Sequence, residues 1–174
     1  MKKLFVLIMF LMATITVNGY CGIFGGGNPD MYHIGSSSAV VVSSSEYTHA
    51  YAITASTTYV VNIDDMKFWA DAIATVKFSI ALSSNVTGGY DAVIADVRPL
   101  ALATKNLFTA KCGVVCASTN TAVGTVFKLP ANQGFEYFEE QGKMQIPKGY
   151  VLLIDAMSGS QADGAFYGQF RVWE

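Results

Sequence analysis

Charge is what this chain has least of. Only 14% of its residues are Asp, Glu, Lys or Arg, and the 11 basic ones are scattered. Proteins that grip nucleic acid concentrate Lys and Arg into a footprint for phosphates. A net charge of −2 and a pI near 5.6 therefore argue against a nucleic-acid partner. Disorder is excluded too, because 52% of the residues are hydrophobic and disordered chains pair low hydrophobicity with high charge. Histidine is almost missing. His33 and His49 both lie in a Ser-rich N-terminal stretch, where solvated rings are expected. Cys112-Gly-Val-Val-Cys116 has one spacer too many for a redox Cys-x-x-Cys, and no second pair completes a zinc site. The Gly-x-Ser-x-Gly elbow, Ser-x-x-Lys and His-Glu-x-x-His are absent. No catalytic set, metal or cofactor is expected, and the chain reads as non-enzymatic. No internal repeat recurs at a fixed period, which excludes a propeller or solenoid.

No apolar run reaches the ~20 residues of a confident membrane span. What stands at the start instead is Met1-Lys2-Lys3, an apolar run from Leu4 to Met12, and small residues before Asn18-Gly19. That is the layout of a secretory signal peptide, with Val17 and Gly19 at −3 and −1 of a cut before Tyr20. Residues 1–19 are thus a signal peptide or, if retained, a membrane anchor. Cys21 would be the acylated residue of a lipoprotein, but Asn18-Gly19-Tyr20 is not the aliphatic-small-small tripeptide that precedes one. Either way the rest of the chain is expected to work outside the cytoplasm.

Residues 20–38 read as a flexible Gly/Ser-rich linker, with Gly25-Gly26-Gly27 and Ser36-Ser37-Ser38. No Gly-Lys-Ser/Thr follows, so it is no phosphate cradle. From residue 39 to 174 strand signals recur between turn residues. The clearest is Ala74, Val76, Phe78, Ile80 and Leu82 alternating with Thr75, Lys77, Ser79 and Ala81, a strand with one buried face. Gly88-Gly89 reads as a turn, and Tyr90 to Val97 as the next strand. Met66, Trp69, Ile73 and Val76 fit helical spacing, so a short helix is expected over 66–71. Leu100 to Phe108 fits either helix or strand. Many short strands with regular turns imply an all-β, antiparallel sandwich or barrel.

Candidate sites are sparse. Asp64, Asp65, Asp71, Asp91, Asp96 and Asp155 sit near expected strand ends. A facing pair of carboxylates hydrolyses glycosides, and loop aspartates bind calcium, but turn-forming aspartates account for these without either. Phe135, Tyr137 and Phe138 lie in an aromatic-acidic run that either recognises a sugar or protein partner or fills the core. Tyr167, Arg171 and Trp173 share the face of the last strand opposite Phe166, Phe170 and Val172. They either anchor an interface or cover one end of the domain. Cys112 and Cys116 are a possible disulfide or two buried thiols. On a straight strand their Cα atoms would be ~13 Å apart, beyond bridging distance, unless the chain bends at Gly113.

The run Lys143-Met-Gln-Ile-Pro-Lys-Gly-Tyr-Val-Leu-Leu-Ile-Asp-Ala156 is a short strand, a turn and a long apolar strand. Gly164 to Glu174 then returns as a closing strand. This pattern resembles the closing hairpin of jelly-roll domains in phage virion and spike proteins, and carbohydrate-binding modules share it. The resemblance implies a jelly-roll-like β-sandwich that builds a virion or extracellular assembly by self-association. A glycan partner, or a membrane held through the N-terminal segment, is the alternative it leaves open.

Overall fold

The computed structural model describes residues 31–96, 108–118, 121–122, 126–138 and 144–173. The expected leader, residues 1–19, and most of the ambiguous segment before Phe108 lie outside the described residues. The described chain is all strand apart from turns and one 3-10 turn at Ser83–Asn85. No described helix is long and apolar enough to cross a membrane. In chain order the strands are β1 (Met31–Gly35), β2 (Val40–Val42), β3 (Thr48–Ala55), β4 (Val61–Ala70), β5 (Ala74–Leu82), β6 (Val86–Asp91) and β7 (Val93–Asp96). Then come β8 (Phe108–Cys116), β9 (Thr121–Ala122), β10 (Phe127–Leu129), β11 (Gln133–Phe138), β12 (Met144–Ile146), β13 (Tyr150–Ser158) and β14 (Gly164–Trp173).

They form two seven-stranded antiparallel sheets facing each other across one core. The first runs β11-β4-β14-β1-β7, with β12 also on β4 and β2 also on β14. The second runs β10-β5-β13-β3-β8-β6, with β9 also on β5. The pairing is nested. The first strands, β1 and β2, pair with the last, β14. Strand β3 pairs with β13, β4 with β11 and β12, and β5 with β9 and β10. Two further ladders, β4–β14 and β5–β13, join these pairs into sheets.

The strands β6, β7 and β8 are an addition between β5 and β9. Strand β8 lies on β3 and β6 on β8, whereas β7 crosses to the first sheet and lies on β1. The expected single strand from Tyr90 to Val97 is therefore two strands in different sheets. They part at the buried Ala92, whose N–H donates to the Ala110 carbonyl at 3.0 Å.

Three other expectations are corrected. Residues 31–35 are not linker: Tyr32 and Ile34 are buried in the core, and β1 is paired on both sides. Residues 66–71 are not helical. Strand β4 points Val61, Ile63, Met66, Phe68 and Ala70 inward, and one extra residue, Asp64, bulges between Ile63 and Asp65 against β14. The residues behind the helical spacing share no face: Met66 is in the core, Trp69 meets Tyr167 on the outer side of the sheet, Ile73 is 52% exposed, and Val76 belongs to β5. Along β5, Val76 and Phe78 are buried and Ile80 packs against the core, but Leu82 is 48% exposed because it passes the end of the sandwich.

A second irregularity crosses three strands. Against β13, Tyr51 faces Ile154 and His49 faces Asp155, so Ala50 is one residue too many. Beside it on β8, Gly113 falls between Cys112, opposite Tyr51, and Val114, opposite His49. Beside that on β6, Gly89 falls between Tyr90 and Gly88. Gly88, Gly89 and Gly113 have φ of +70°, +77° and +60°, values that favour glycine. A Cβ on Gly89 would stand 2.6 Å from the Cys112 carbonyl oxygen. Gly88-Gly89 is thus a crease inside a strand, not the expected turn. A bulge reverses which face later side chains take. The crease puts Cys112 in the core and Val114 in a small outer cluster with Ala52, Ala81, Val151 and Leu153.

The core is built on rings. Phe68 stacks on Phe166 at 5.7 Å and meets Phe170 edge-on at 5.7 Å, and Tyr51 meets Phe170 edge-on at 5.1 Å. Gly168 makes room for them, since a Cβ there would stand 2.8 Å from both the Phe170 and the Tyr51 ring.

Candidate functional site

Strand β14 is the middle of the first sheet, so its outward residues occupy the centre of that sheet's outer face. Tyr167, Gln169, Arg171 and Trp173 alternate there with the buried Phe166, Gly168, Phe170 and Val172. Tyr167 is 40% exposed and meets the Trp69 ring edge-on at 5.3 Å. Trp173 is half-buried, and its carbonyl accepts from Asn62 Nδ2 at 3.3 Å. Gln145 Nε2 donates in turn to Asn62 Oδ1 at 2.8 Å, which ties the end of β14 to β12.

Arg171 is engaged within the chain. Its Nε stands 2.6 Å from Asp64 Oδ2 and its NH2 nitrogen 3.0 Å from Asp65 Oδ2. The bulge at Asp64 is what brings two successive carboxylates to one guanidinium. The Nε contact is close but poorly angled for a hydrogen bond, so that half of the pair is mainly Coulombic.

Beside this row the edge partner of β14 changes. Strand β1 ends at Gly35, opposite Gln169, and β2 begins at Val40, opposite Phe166. Between them the N–H of Gly168 has no strand to bond. The hydroxyl of Tyr51, reaching across from the other sheet, accepts it at 2.8 Å and bonds the Ser36 hydroxyl at 2.7 Å. Burial pushes the Tyr51 phenol up to about 12, although both hydrogen bonds oppose the rise. The break leaves a cleft of about 360 Å3 lined by His33, Gly35, Ser36, Ser37, Val93 and Gln169. His33 is exposed in this cleft.

The other expected sites fall elsewhere. Phe135 turns inward and stacks on Phe127 at 5.1 Å. Tyr137 and Phe138 stand opposite Met66 and Asp65 in the β4 ladder, and their side chains lie outside the described residues. Cys112 and Cys116 are not joined to each other in a disulfide. Gly113 does bend the strand, but the bend sends Cys112 into the core and Cys116 towards the outer cluster. Burial pushes the Cys112 thiol up to about 11.

One cluster escaped the sequence reading. On the outer face of the second sheet, Asp155 is only 2% exposed. Its Oδ1 lies 2.5 Å from His49 Nδ1, its Oδ2 accepts from Ser79 Oγ at 2.7 Å, and Lys77 Nζ is 3.8 Å away. Lys77 also lies 4.1 Å from the centre of the Tyr47 ring. His49 is therefore held by a carboxylate and not simply solvated. A carboxylate only accepts, so Nδ1 carries the ring proton. A nucleophilic triad puts the imidazole between serine and acid. Here the acid stands between serine and imidazole, and no hydroxyl in the cluster is activated. Signals for this cluster were present as Asp155 inside the apolar run of β13 and Ser79 inside β5, but His49 is 106 residues from Asp155. No group of three or more metal-ligating side chains occurs among the described residues. No protein-family model matches the chain, and neither does any curated protein or solved structure.

Proposed function

We propose that the sandwich is a jelly roll and serves as a non-enzymatic structural or spike component of a virion or other extracellular assembly. The observation that carries this reading is the nested pairing: β1 and β2 with β14, β3 with β13, β4 with β11 and β12, β5 with β9 and β10. A long antiparallel ribbon rolled on itself gives that order, and an eight-strand jelly roll of two Greek keys is such a ribbon. Jelly rolls build viral capsids and also lectins, so the fold alone does not choose between them. The leader favours an exported product.

The outer face of the first sheet is the contact surface in this reading. The Tyr167–Trp69 pair and Trp173 supply aromatic anchors of the kind that interfaces use. Arg171 arrives already paired with Asp64 and Asp65, so covering it does not strand the guanidinium, and the trio keeps one net negative charge for a partner to meet. A closed trimer or pentamer is the assembly that fits a virion role. Light scattering at micromolar concentration tests it. The parent is expected to be an oligomer, and Tyr167→Ala and Trp173→Ala to shift it towards monomer. A strictly monomeric parent that binds a polysaccharide would overturn the assembly reading and leave a secreted carbohydrate-binding or adhesion module in its place.

A further inference from the structure

The crease in the second sheet opens a cleft of about 190 Å3 on that sheet's outer face. We propose that this cleft binds a small oxyanion: the phosphate, sulfate or carboxylate group of a ligand. The inference does not rest on the assembly reading, which concerns the opposite face of the sandwich.

The lining carries it. Thr54, Ser83 and Thr109 line it together with Lys111, from β3, the 3-10 turn and β8, and no carboxylate is among the lining residues. Strand β6 adds Thr87 and Gly88, but the register sets Thr87 opposite Val115, on the other face of the strand from Gly88, so its hydroxyl is not one of the donors. Thr54 and Thr109 stand directly opposite each other in the β3–β8 ladder. Gly88 leaves the mouth open, with nothing within 4 Å of the point where a Cβ would stand. Other hydroxyls of this protein are spent internally, as in Ser79 to Asp155 and Ser158 to the Ala162 carbonyl. Among the described residues none of the side chains of Thr54, Ser83, Thr109 and Lys111 bonds another protein group. Lys77 has Asp155 close by. Lys111 has Asp91 opposite it in the ladder and makes no ion pair with it.

Rotatable O–H groups donate to an anion, and an ammonium group does nothing but donate. One positive charge, several such donors and no carboxylate in the lining are complementary to an oxyanion. A divalent cation would find no carboxylate. A neutral sugar would leave the ammonium unmatched. With water occupying about 30 Å3 per molecule, the space suits an oxyanion with a few waters, or the acidic end of a sugar.

Equilibrium dialysis of the full-length protein at constant ionic strength tests the site, with labelled sulfate, inorganic phosphate and glucuronate as probes and glucose as the neutral comparison. At least one anion is expected to bind saturably. Lys111→Met should weaken it by about 10-fold or more, the loss of a charge-assisted partner. Thr109→Val, which keeps shape and removes one donor, should weaken it less. Lys128→Met, on β10 outside the cleft, should leave it unchanged. Sulfate or phosphate binding as tightly as glucuronate identifies a free ion as the ligand. Clearly tighter glucuronate identifies an acidic sugar. No saturable binding of any anion at millimolar concentration, or binding that Lys111→Met leaves intact, overturns the proposal. Light scattering reads assembly separately, so either idea can fail alone.

Discussion

The two sheets each carry a charged cluster on the outer face, and each cluster sits beside a bulge. In the first sheet the extra residue is Asp64, and the bulge gathers Asp64 and Asp65 around Arg171. In the second it is Ala50, and the shift sets His49 opposite Asp155. The device is shared, but the surroundings differ. Arg171 is 36% exposed and Asp64 23%, so water screens that pair. Asp155 is 2% exposed and depends on its partners for every interaction it lost to water. Exposed pairs contribute roughly 0–1 kcal/mol. Removing one member of a buried pair costs about 3–5 kcal/mol, because the rest are left uncompensated.

The largest expected effect follows from that contrast. Asp155→Ala should lower stability by about 3–5 kcal/mol, seen as a fall in the urea midpoint, since it strands the Ser79 hydroxyl and the Lys77 and His49 nitrogens. If it costs no more than a surface substitution, the two clusters are energetically alike and the contrast fails.

A middle-sized effect concerns the core between the two faces. Burial raises Cys112 from 9.0 to about 11 and Tyr51 from 10.0 to about 12. Both are neutral when protonated, and the unfolded chain gives up these protons first. Above pH 9 the unfolded state therefore holds fewer protons than the folded one, so stability falls as pH rises. The contribution is complete below pH 9 for Cys112 and below pH 10 for Tyr51, and is lost as pH passes about 11 and about 12 respectively. Each tenfold change in proton affinity is worth about 1.4 kcal/mol, so roughly 2–3 kcal/mol goes with Cys112. Urea midpoints from pH 8 to 11 should show the decline, and Cys112→Ala should delay its onset by about one pH unit, to where Tyr51 takes over. A flat profile in the parent would contradict the burial of both groups.

The smallest effect is expected at the other cluster. Arg171→Gln should change stability by about 1 kcal/mol or less and should lose even that in high salt. A loss as large as that of Asp155→Ala would mean that the first sheet's cluster is as dry as the second's.

Local pattern carried a good part of this architecture. The alternation from Ala74 to Phe78 and from Phe166 to Val172 matches the buried faces of β5 and β14. The chain could also be recognised as all-β and antiparallel, because turns punctuate it at strand length. What local pattern does not encode is register between distant strands. The bulge at Asp64 exists only relative to β14, roughly a hundred residues later in the chain, and the helical spacing through Met66, Trp69, Ile73 and Val76 runs across both faces of β4 and on into β5. The His49–Asp155 contact depends on β3 pairing with β13, and a histidine in a Ser-rich stretch gave no hint of it. Strand β1 was hidden for another reason. It is five residues long, its apolar side chains are few, and it is held by partners on both sides instead of by its own pattern.

The position of β14 sets an order in time. It is the last described strand, yet it is the central one of its sheet, with β4 along one edge and β1 and β2 along the other. A growing chain that has reached Ser158 has already made the long strands of the second sheet, β3, β5, β8 and β13, while the first still has a gap down its middle. Non-local pairing of this kind is slow, since loops must close before contacts repay them. Until β14 arrives, Phe68 and Tyr51 lack the Phe166 and Phe170 rings they pack against, and the core stays open. Completion of the core is thereby postponed until synthesis has passed Trp173, so the strand made last is the one that closes the sandwich.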